Sequence, residues 1–523
     1  MTAIDKSALY QSGTFGDAII TAMHRFPDRT AFICEGRSYS YEEVAQRISQ
    51  ALQFLRSLGL KKGQTIAQLS RNRPEQWFVM AAAYLEGYIS VTLHALASAE
   101  EQAFTIDNSD AVLVIADHYF TARLVELRQR LPKVERWFGH GAAGDIADFW
   151  EGALKFEPQP LENQTQAEDI IRLGYTGGTT GRAKGVMLSS RALLYQCLHS
   201  LIDKDWPDKP IFLCPTPISH GAGASIVPVL SRGGTFILLP GFNAEQVIDL
   251  IPKYKVTVLY AVPTMLYGLL DHPKLRQTDL SSLEVLSYGA SPASPTRLKE
   301  AIEVFGQILC QGYGQTEAPS SITVLRKSDH DPNDLKRLSS CGLPYQGLTV
   351  ALLDDDCCAV KQGEVGEICV RGPILMSGYW KEPGLTEEVF KGNWLHTGDM
   401  AYQDEQGYYF IVDRKKDMII SGGFNVYPKE IENILATHPG VSAAAVIGVP
   451  DEKWGEAVKA VIVPRANAQP DVQELQALVK EKKGSIYAPK SIDFVQSFPL
   501  TPVGKPDKKA LRQRYWGDGR QVN

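Results

Sequence analysis

Long hydrophobic runs are missing from this sequence. No window reaches eighteen uninterrupted apolar residues, which argues against a membrane-spanning helix. The opening stretch, MTAIDKSALYQSG, lacks both the basic segment and the apolar run of a secretory signal. An excess of positive charge is missing too. Against 60 Asp and Glu stand 54 Lys and Arg, a formal charge of −6, so nothing electrostatic favours nucleic acid as a partner. Eight cysteines (Cys34, Cys197, Cys214, Cys310, Cys341, Cys357, Cys358, Cys369) include no CxxC and no paired His/Cys spacing. Several sit in apolar runs such as IFLCP and EICV, where cysteine behaves as a small buried hydrophobe. A reduced, cytoplasmic enzyme without structural zinc is therefore the expectation. Internal repeats and low-complexity tracts are absent as well.

What remains is a large mixed chain. Its 523 residues suggest roughly two to four domains, and 44% hydrophobic with 22% charged residues can build substantial cores. Up to residue 310, apolar strand-like runs alternate with helical patterns: QTIAQLS then PEQWFVMAAAYLEG, AVLVIA then YFTARLVELRQRL, LEVLSYG then SPTRLKEAIEVFG. Such alternation predicts an α/β fold, with sheets covered by helices on both faces. Beyond residue 340 the texture changes to short strands joined by Gly and Asp turns, as in TVALLDDD and GEVGEICVRG. Past residue 416, the helices PKEIENILATH, DVQELQALVKEKKG and KPDKKALRQRY alternate with strands VSAAAVIGV, EAVKAVIVP and SIDFV. Two domains are expected, 1–415 and 416–523, with the charged run 413–417 at the seam. A charge run is by itself often only a solvated face.

The stretch 174–188, GYTGGTTGRAKGVML, follows the strand-like run IIRLGY. Its glycines let backbone N–H groups converge on an anion. Thr176, Thr179 and Thr180 add hydroxyls and Lys184 an ammonium, the parts of a phosphate cradle. It is not a P-loop, because Gly185 rather than Ser or Thr follows Lys184. At the sequence's one Gly-Lys pair, Gly504-Lys505, Pro506 follows the lysine and Pro499 stands where the first glycine belongs. A loop of this composition without any ligand remains the alternative at this point.

The segment YTGGTTGRAKGV at 175–186 resembles the phosphate-binding signature of the adenylate-forming (AMP-binding) superfamily, which includes acyl-CoA synthetases, luciferases and nonribosomal adenylation domains. Further motifs follow in that superfamily's order: SYGASP at 287–292, QGYGQTEA at 311–318, HTGD at 396–399, DRKKDMIISGGFNVYPKEIE at 413–432 and PLTPVGK at 499–505. Nearly the whole chain is covered. The resemblance implies a large N-terminal domain of helix-covered sheets with a small β-barrel-like part, and a small mobile α+β C-terminal domain. Gly178 stands where the family often has serine and Ala183 where it often has proline, losing one hydroxyl donor and one rigid φ.

The resemblance also implies roles. Thr176, Gly177, Gly178, Thr179, Thr180, Gly181 and Lys184 would hold the phosphates of ATP. Lys505 would bridge the acid and the α-phosphate, supplying positive charge where two anions meet. Glu317 would hold Mg²⁺, with Thr316 on a phosphate; by residue type alone this pair also suits a helix start. Asp399 would accept from both ribose hydroxyls, backed by Arg414; an Asx turn and a surface ion pair are the alternatives. Gly289, Ala290 and Ser291, with Gln311, Gly312, Tyr313 and Gly314, would form the adenine slot, Tyr313 stacking on the base or else packing in the core. His220 matches a position beside the acyl carboxylate, though single histidines are also structural. Lys416 matches the hinge about which the C-terminal domain swings after adenylation. Ser421, Gly422, Gly423 and Phe424, with Trp454, would then line the path of coenzyme A.

Apart from Glu317, the segments expected around the acyl group (PISHGAGAS, YAVPTMLYG, SYGASP, QGYGQTEAPSS) contain no charged side chain. An ammonium or a second carboxylate on the substrate would lack a partner there. The expected substrate is a hydrophobic monocarboxylic acid: fatty, aryl or alicyclic. No carrier domain follows Lys505, which favours diffusible coenzyme A as acceptor over a separate carrier protein. The sequence around Lys505 also resembles the context of acetylated lysines in bacterial ligases, so an acetyltransferase and deacetylase are candidate partners. The oligomeric state, a homodimer included, is left open.

Overall fold

The computed structural model describes residues 13–142, 144–176, 183–421, 424–451, 454–465, 468–500 and 506–516. These group into two compact units. The first is drawn from 1–338, 342–349 and 371–390, the second from 339–341, 350–370 and 391–523.

Two sheets make up the first unit. A seven-stranded sheet runs in the spatial order Gly378–Tyr379, Lys184–Ser189, Ile170–Thr176, Ile89–Thr92, Thr65–Leu69, Ala111–Asp117, Arg136–His140. Its last five strands are parallel, Lys184–Ser189 runs against them, and Gly378–Tyr379 pairs antiparallel with Lys184–Ser189. A nine-stranded sheet runs Leu343–Pro344, Ala318–Leu325, Leu309–Gln315, Val285–Gly289, Val258–Ala261, Ile211–Cys214, Thr235–Leu238, Thr30–Cys34, Arg37–Ser40. Here too the centre is parallel and the edges are antiparallel.

The predicted strand–helix pairs are present. Local chemistry explains their ends. The helix Pro74–Glu86 begins with proline, whose missing N–H costs nothing there, and stops at Gly87 in the left-handed region at φ 79. It is buried along nearly its whole length, as its apolar composition requires. The helix Tyr41–Ser57 starts where the Ser40 hydroxyl accepts from the Glu43 amide. Separate apolar cores fill the sheets' faces, one around Val91, Val114 and Leu173 and another around Val247, Leu259 and Leu286.

The second unit also holds two sheets. A four-stranded one runs Thr349–Leu353, Gly366–Arg371, Leu395–Gln403, Tyr409–Arg414, corresponding to the small β part expected from the sequence. A five-stranded one centres on the long antiparallel pair Val441–Asp451 and Gly455–Pro464. Strand periodicity divides its core. Val446, Val458 and Ile462 pack with Ile431, Leu435 and Leu475 of two helices, while Ala445, Ile447 and Val461 pack with Leu511 of the helix Lys508–Trp516. The division expected at 415/416 concerns where the chain bends, which compactness does not test. By packing, residues 391–415 go with those that follow them. Among the described residues, no helix is long and apolar enough to cross a membrane.

Candidate active site

In the first unit, the strand Ile170–Thr176 pairs antiparallel with Lys184–Ser189 so that Thr176 lies opposite Lys184. The cradle residues Gly177, Gly178, Thr179, Thr180 and Gly181 lie outside the described residues. On that strand Gly174 is required by close approach: a Cβ there would lie 2.5 Å from the Thr316 methyl carbon. Thr316 and Glu317 occupy the turn between the antiparallel strands Leu309–Gln315 and Ala318–Leu325, so they do not start a helix. The end of one sheet's strand thus meets a turn of the other, and ligands of α/β proteins bind at such strand ends.

A tyrosine organises this corner. The Tyr379 hydroxyl donates to Glu317 Oε1 at 2.8 Å, and Lys184 Nζ lies 5.3 Å from the centre of the same ring. The expected phosphate-binding cation and metal-binding carboxylate are thereby set on two sides of one aromatic group. Burial, reinforced by the Glu317 charge, raises the Tyr379 phenol, which therefore stays a donor. Tyr175 is held similarly, its hydroxyl donating to Asn108 Oδ1 at 2.7 Å.

The predicted adenine slot begins where Val285–Gly289 ends. A Cβ on Gly289 would lie 2.5 Å from the Gly312 carbonyl oxygen of the neighbouring strand. The next residue, Ala290, adopts φ 67, a left-handed conformation that costs a non-glycine residue about 1–3 kcal/mol. Gln311, Gly312, Tyr313 and Gly314 are half-buried along the adjacent strand, with Ser291 in the loop after Ala290.

His220 sits in a half-buried polar cluster. Its Nδ1 lies 2.7 Å from the Ser219 hydroxyl, and its ring meets that of His94 edge to face, with centroids 4.7 Å apart. Arg172 Nη2 donates to the Ser219 carbonyl at 3.0 Å, as does the Thr92 hydroxyl at 3.0 Å. Burial, and then the His94 and Arg172 charges, push the His220 imidazole down to about 4, so the ring is neutral at physiological pH.

The second unit holds Asp399 and Arg414, opposite one another on antiparallel strands. Their side chains pair at 2.6 Å (Nε to Oδ1), and Asp399 is buried. Four residues of the charged run 413–417 have close partners, although Lys415 is exposed. The buried Asp413 carboxylate accepts from the Arg414 and Lys429 amides, Lys415 pairs with Asp355 at 2.6 Å, and Arg512 pairs with Asp417 at 2.7 Å. Lys416 lies in the single 3₁₀ turn Lys415–Asp417. Phe424 is largely exposed, and Trp454 is half-buried with Lys490 Nζ 5.8 Å from its ring. The buried Ser421 ends the short strand Ile419–Ser421. Gly422, Gly423 and Lys505 lie outside the described residues.

Sequence reading missed three participants. Tyr379 has no local signature, since it reaches Glu317 across 62 positions. Arg172 is a lone charge in an apolar strand, which was the available signal, and it adds a cation to surroundings read as neutral. Glu367 holds the HTGD turn by accepting the Gly398 amide at 2.8 Å, and only the pairing of distant strands brings it there.

Comparison with known proteins bears on all of this. A family model described as AMP-binding enzyme matches residues 20–380, and one described as AMP-binding enzyme C-terminal domain matches 430–505. The chain is 43% identical to the medium/long-chain fatty acid–CoA ligase FadD8 of Mycobacterium tuberculosis, over 97% of this chain and 91% of that protein. It is 35% identical to a feruloyl-CoA synthase of Amycolatopsis sp, over 94% and 96% respectively. Among solved structures, the amide bond synthetase McbA of Marinactinospora thermotolerans matches with a TM-score of 0.89 at 32% identity, covering 96% of this chain and 100% of that one.

Proposed function

The chain belongs to the AMP-binding enzyme family, and from that premise we propose that it is an AMP-forming acid–CoA ligase acting on a hydrophobic monocarboxylic acid. In the first half-reaction a carboxylate oxygen attacks the α-phosphorus of ATP and pyrophosphate leaves. In the second, the thiol of coenzyme A attacks the acyl carbonyl and AMP leaves. The observation that carries this reading is the Lys184–Tyr379–Glu317 corner at the strand ends. It brings a cation for phosphate oxygens and an anionic oxygen ligand to the same tyrosine.

Each residue has a task. Lys184 and the 176–181 segment bind the β- and γ-phosphates. Gly289, Ala290 and Ser291, with Gln311 to Gly314, take the adenine, and Asp399, oriented by Arg414, takes the ribose. The donor set also fits Mg²⁺: Glu317 is a carboxylate braced by a neutral hydroxyl, Thr316 brings a second oxygen, and hard oxygens suit that ion. When bound, it would offset phosphate charge. Neutral His220 packs beside the reacting carboxylate and excludes water without adding charge. Lys505 stabilises the two approaching anions, and rotation at Lys416 then withdraws it. Ser421, Gly422, Gly423 and Phe424, with Trp454, line the thiol's approach. Acetylation of Lys505 would switch off the first step by removing its charge.

The test is to incubate the protein with ATP, Mg²⁺ and a panel of fatty, aryl and alicyclic acids, measuring pyrophosphate and thioester with and without coenzyme A. Thioester with at least one acid is expected. Adenylate that accumulates regardless of coenzyme A would transfer the reading to a carrier-protein ligase, and no pyrophosphate with any acid would overturn it. Lys505→Ala is expected to lose adenylation by several orders of magnitude while largely sparing thioester formation from supplied acyl-AMP. Equal loss of both steps would refute the domain-alternation assignment.

A further inference from the structure

Three side chains of the second unit converge, of which only His396 belongs to a motif, the HTGD at 396–399. Cys369 on the strand Gly366–Arg371 lies directly opposite His396 on Leu395–Gln403, and Glu367 projects from the same face two residues earlier. His396 Nδ1 lies 3.4 Å from Cys369 Sγ and 3.1 Å from Glu367 Oε2, and one ligand atom from each residue lies within 4.8 Å of the others. Ligands on a tetrahedral zinc ion, at about 2.0–2.3 Å from the metal, stand about 3.3–3.6 Å apart. The two measured separations are close to those of one face of such a shell.

The surroundings are those of a prepared site. The other imidazole nitrogen, Nε2, lies 3.1 Å from the Lys391 carbonyl, which can accept its proton once Nδ1 gives its lone pair to a metal. The other carboxylate oxygen, Oε1, is held by the Gly398 amide at 2.8 Å, leaving Oε2 turned toward Cys369 and His396. Cys369 and Glu367 are buried, and His396 is nearly so. One competing cation is present: Lys415 Nζ stands 3.3 Å from Oε2, but it also pairs with Asp355 at 2.6 Å, to which it can retreat.

We propose that Glu367, Cys369 and His396 form a binding site for a borderline-soft divalent metal of the zinc type. Binding replaces the Nδ1–carboxylate contact by three metal–ligand bonds. The proton shared between Nδ1 and Oε2 and the Cys369 thiol proton are released to solvent, the Lys415 ammonium moves from Oε2 onto Asp355, and water completes the shell. The mixed sulfur–nitrogen–oxygen donor set selects against Mg²⁺, which takes oxygen ligands. The site is distinct from the Mg²⁺ position proposed at Glu317, and it stands or falls independently of the catalytic reading.

Cadmium is the probe, because its bond to a thiolate produces an ultraviolet charge-transfer band. The full-length, metal-stripped protein titrated with Cd²⁺ is expected to develop that band with one equivalent. Zn²⁺ should displace it, and millimolar Mg²⁺ should not. Cys369→Ser should abolish the band, His396→Gln should weaken binding at least tenfold, and Lys415→Met should strengthen it. Cys358→Ser, at an exposed position, should leave it unchanged. Should Cys369→Ser fail to fold, as judged by thermal melting, the wild-type stoichiometry and the His396→Gln and Lys415→Met shifts decide alone. No band at stoichiometric cadmium, or a band removed by Cys358→Ser and kept by Cys369→Ser, would overturn the proposal.

Discussion

Replacing Gly174 by alanine places a Cβ 2.5 Å from the Thr316 methyl carbon, with no other heavy atom within 4 Å of it beyond its chain neighbours. Carbon atoms pack best at about 3.5–4.0 Å, so Thr316 must move by about 1 Å or the strand must yield. Overpacking of this kind costs about 1–3 kcal/mol. Against it stands the gain of about 0.4–1 kcal/mol from a less flexible unfolded chain. The net expectation for Gly174→Ala is a loss of about 1–2 kcal/mol, with a large fall in adenylation because Thr316 and Glu317 share one turn. Thr316→Ser removes only the colliding methyl and keeps the hydroxyl. In that background Gly174→Ala should become neutral or mildly stabilising, and adenylation should recover. Equilibrium urea unfolding of the four proteins measures the coupling, and pyrophosphate release follows the activity. Additivity within about 0.5 kcal/mol would refute the packing argument, and a harmless single Gly174→Ala would do so at once.

Tyr379→Phe keeps the ring beside Lys184 but removes the hydrogen bond to Glu317; hydrogen bonds to charged groups are worth about 1.5–3 kcal/mol. Stability should fall by about that amount, and the Mg²⁺ concentration for half-maximal adenylation should shift at least several-fold; an unchanged metal dependence would count against the tyrosine's role. Asp399→Asn should raise KM for ATP at least tenfold without a comparable effect on KM for the acid, and steady-state kinetics with each substrate varied would reveal the opposite pattern if the ribose assignment fails. Stability should also depend on pH. Burial pushes His220 and His330 down to about 4 in the folded chain, whereas unfolded imidazoles bind protons near 6.5. The unfolded state therefore holds more protons between those values, so stability is complete above about pH 6.5 and falls as the pH drops toward 4, by roughly 3 kcal/mol per histidine. Urea midpoints at pH 7.5 and pH 5 measure this, and His330→Gln should flatten the dependence; an identical slope in that variant would rule His330 out.

Element by element, the chain was legible where its geometry is local. Helices such as Pro74–Glu86 and strands such as Val285–Gly289 follow from apolar periodicity, with proline and glycine at the ends, because both depend on neighbours a few residues away. The family motifs pointed to Thr316, Glu317, Asp399 and Arg414, and the last two do pair. The run 413–417 stood out as a candidate seam, but the partners of its charges could not be read from it. Asp355 and Arg512 arrive from 60 and 95 positions away.

By itself, then, the order of residues determined the α/β texture, the glycine-rich turn and the types of chemical group available, because backbone preference and hydrophobic period act over a few residues. Only the tertiary structure decided who meets whom: Tyr379 between Lys184 and Glu317, Arg172 on the carbonyl of Ser219, His94 against His220, Cys369 opposite His396. Those meetings are set by sheet register and by the packing of elements remote in sequence. A one-residue slip in register would turn each such side chain to the opposite face.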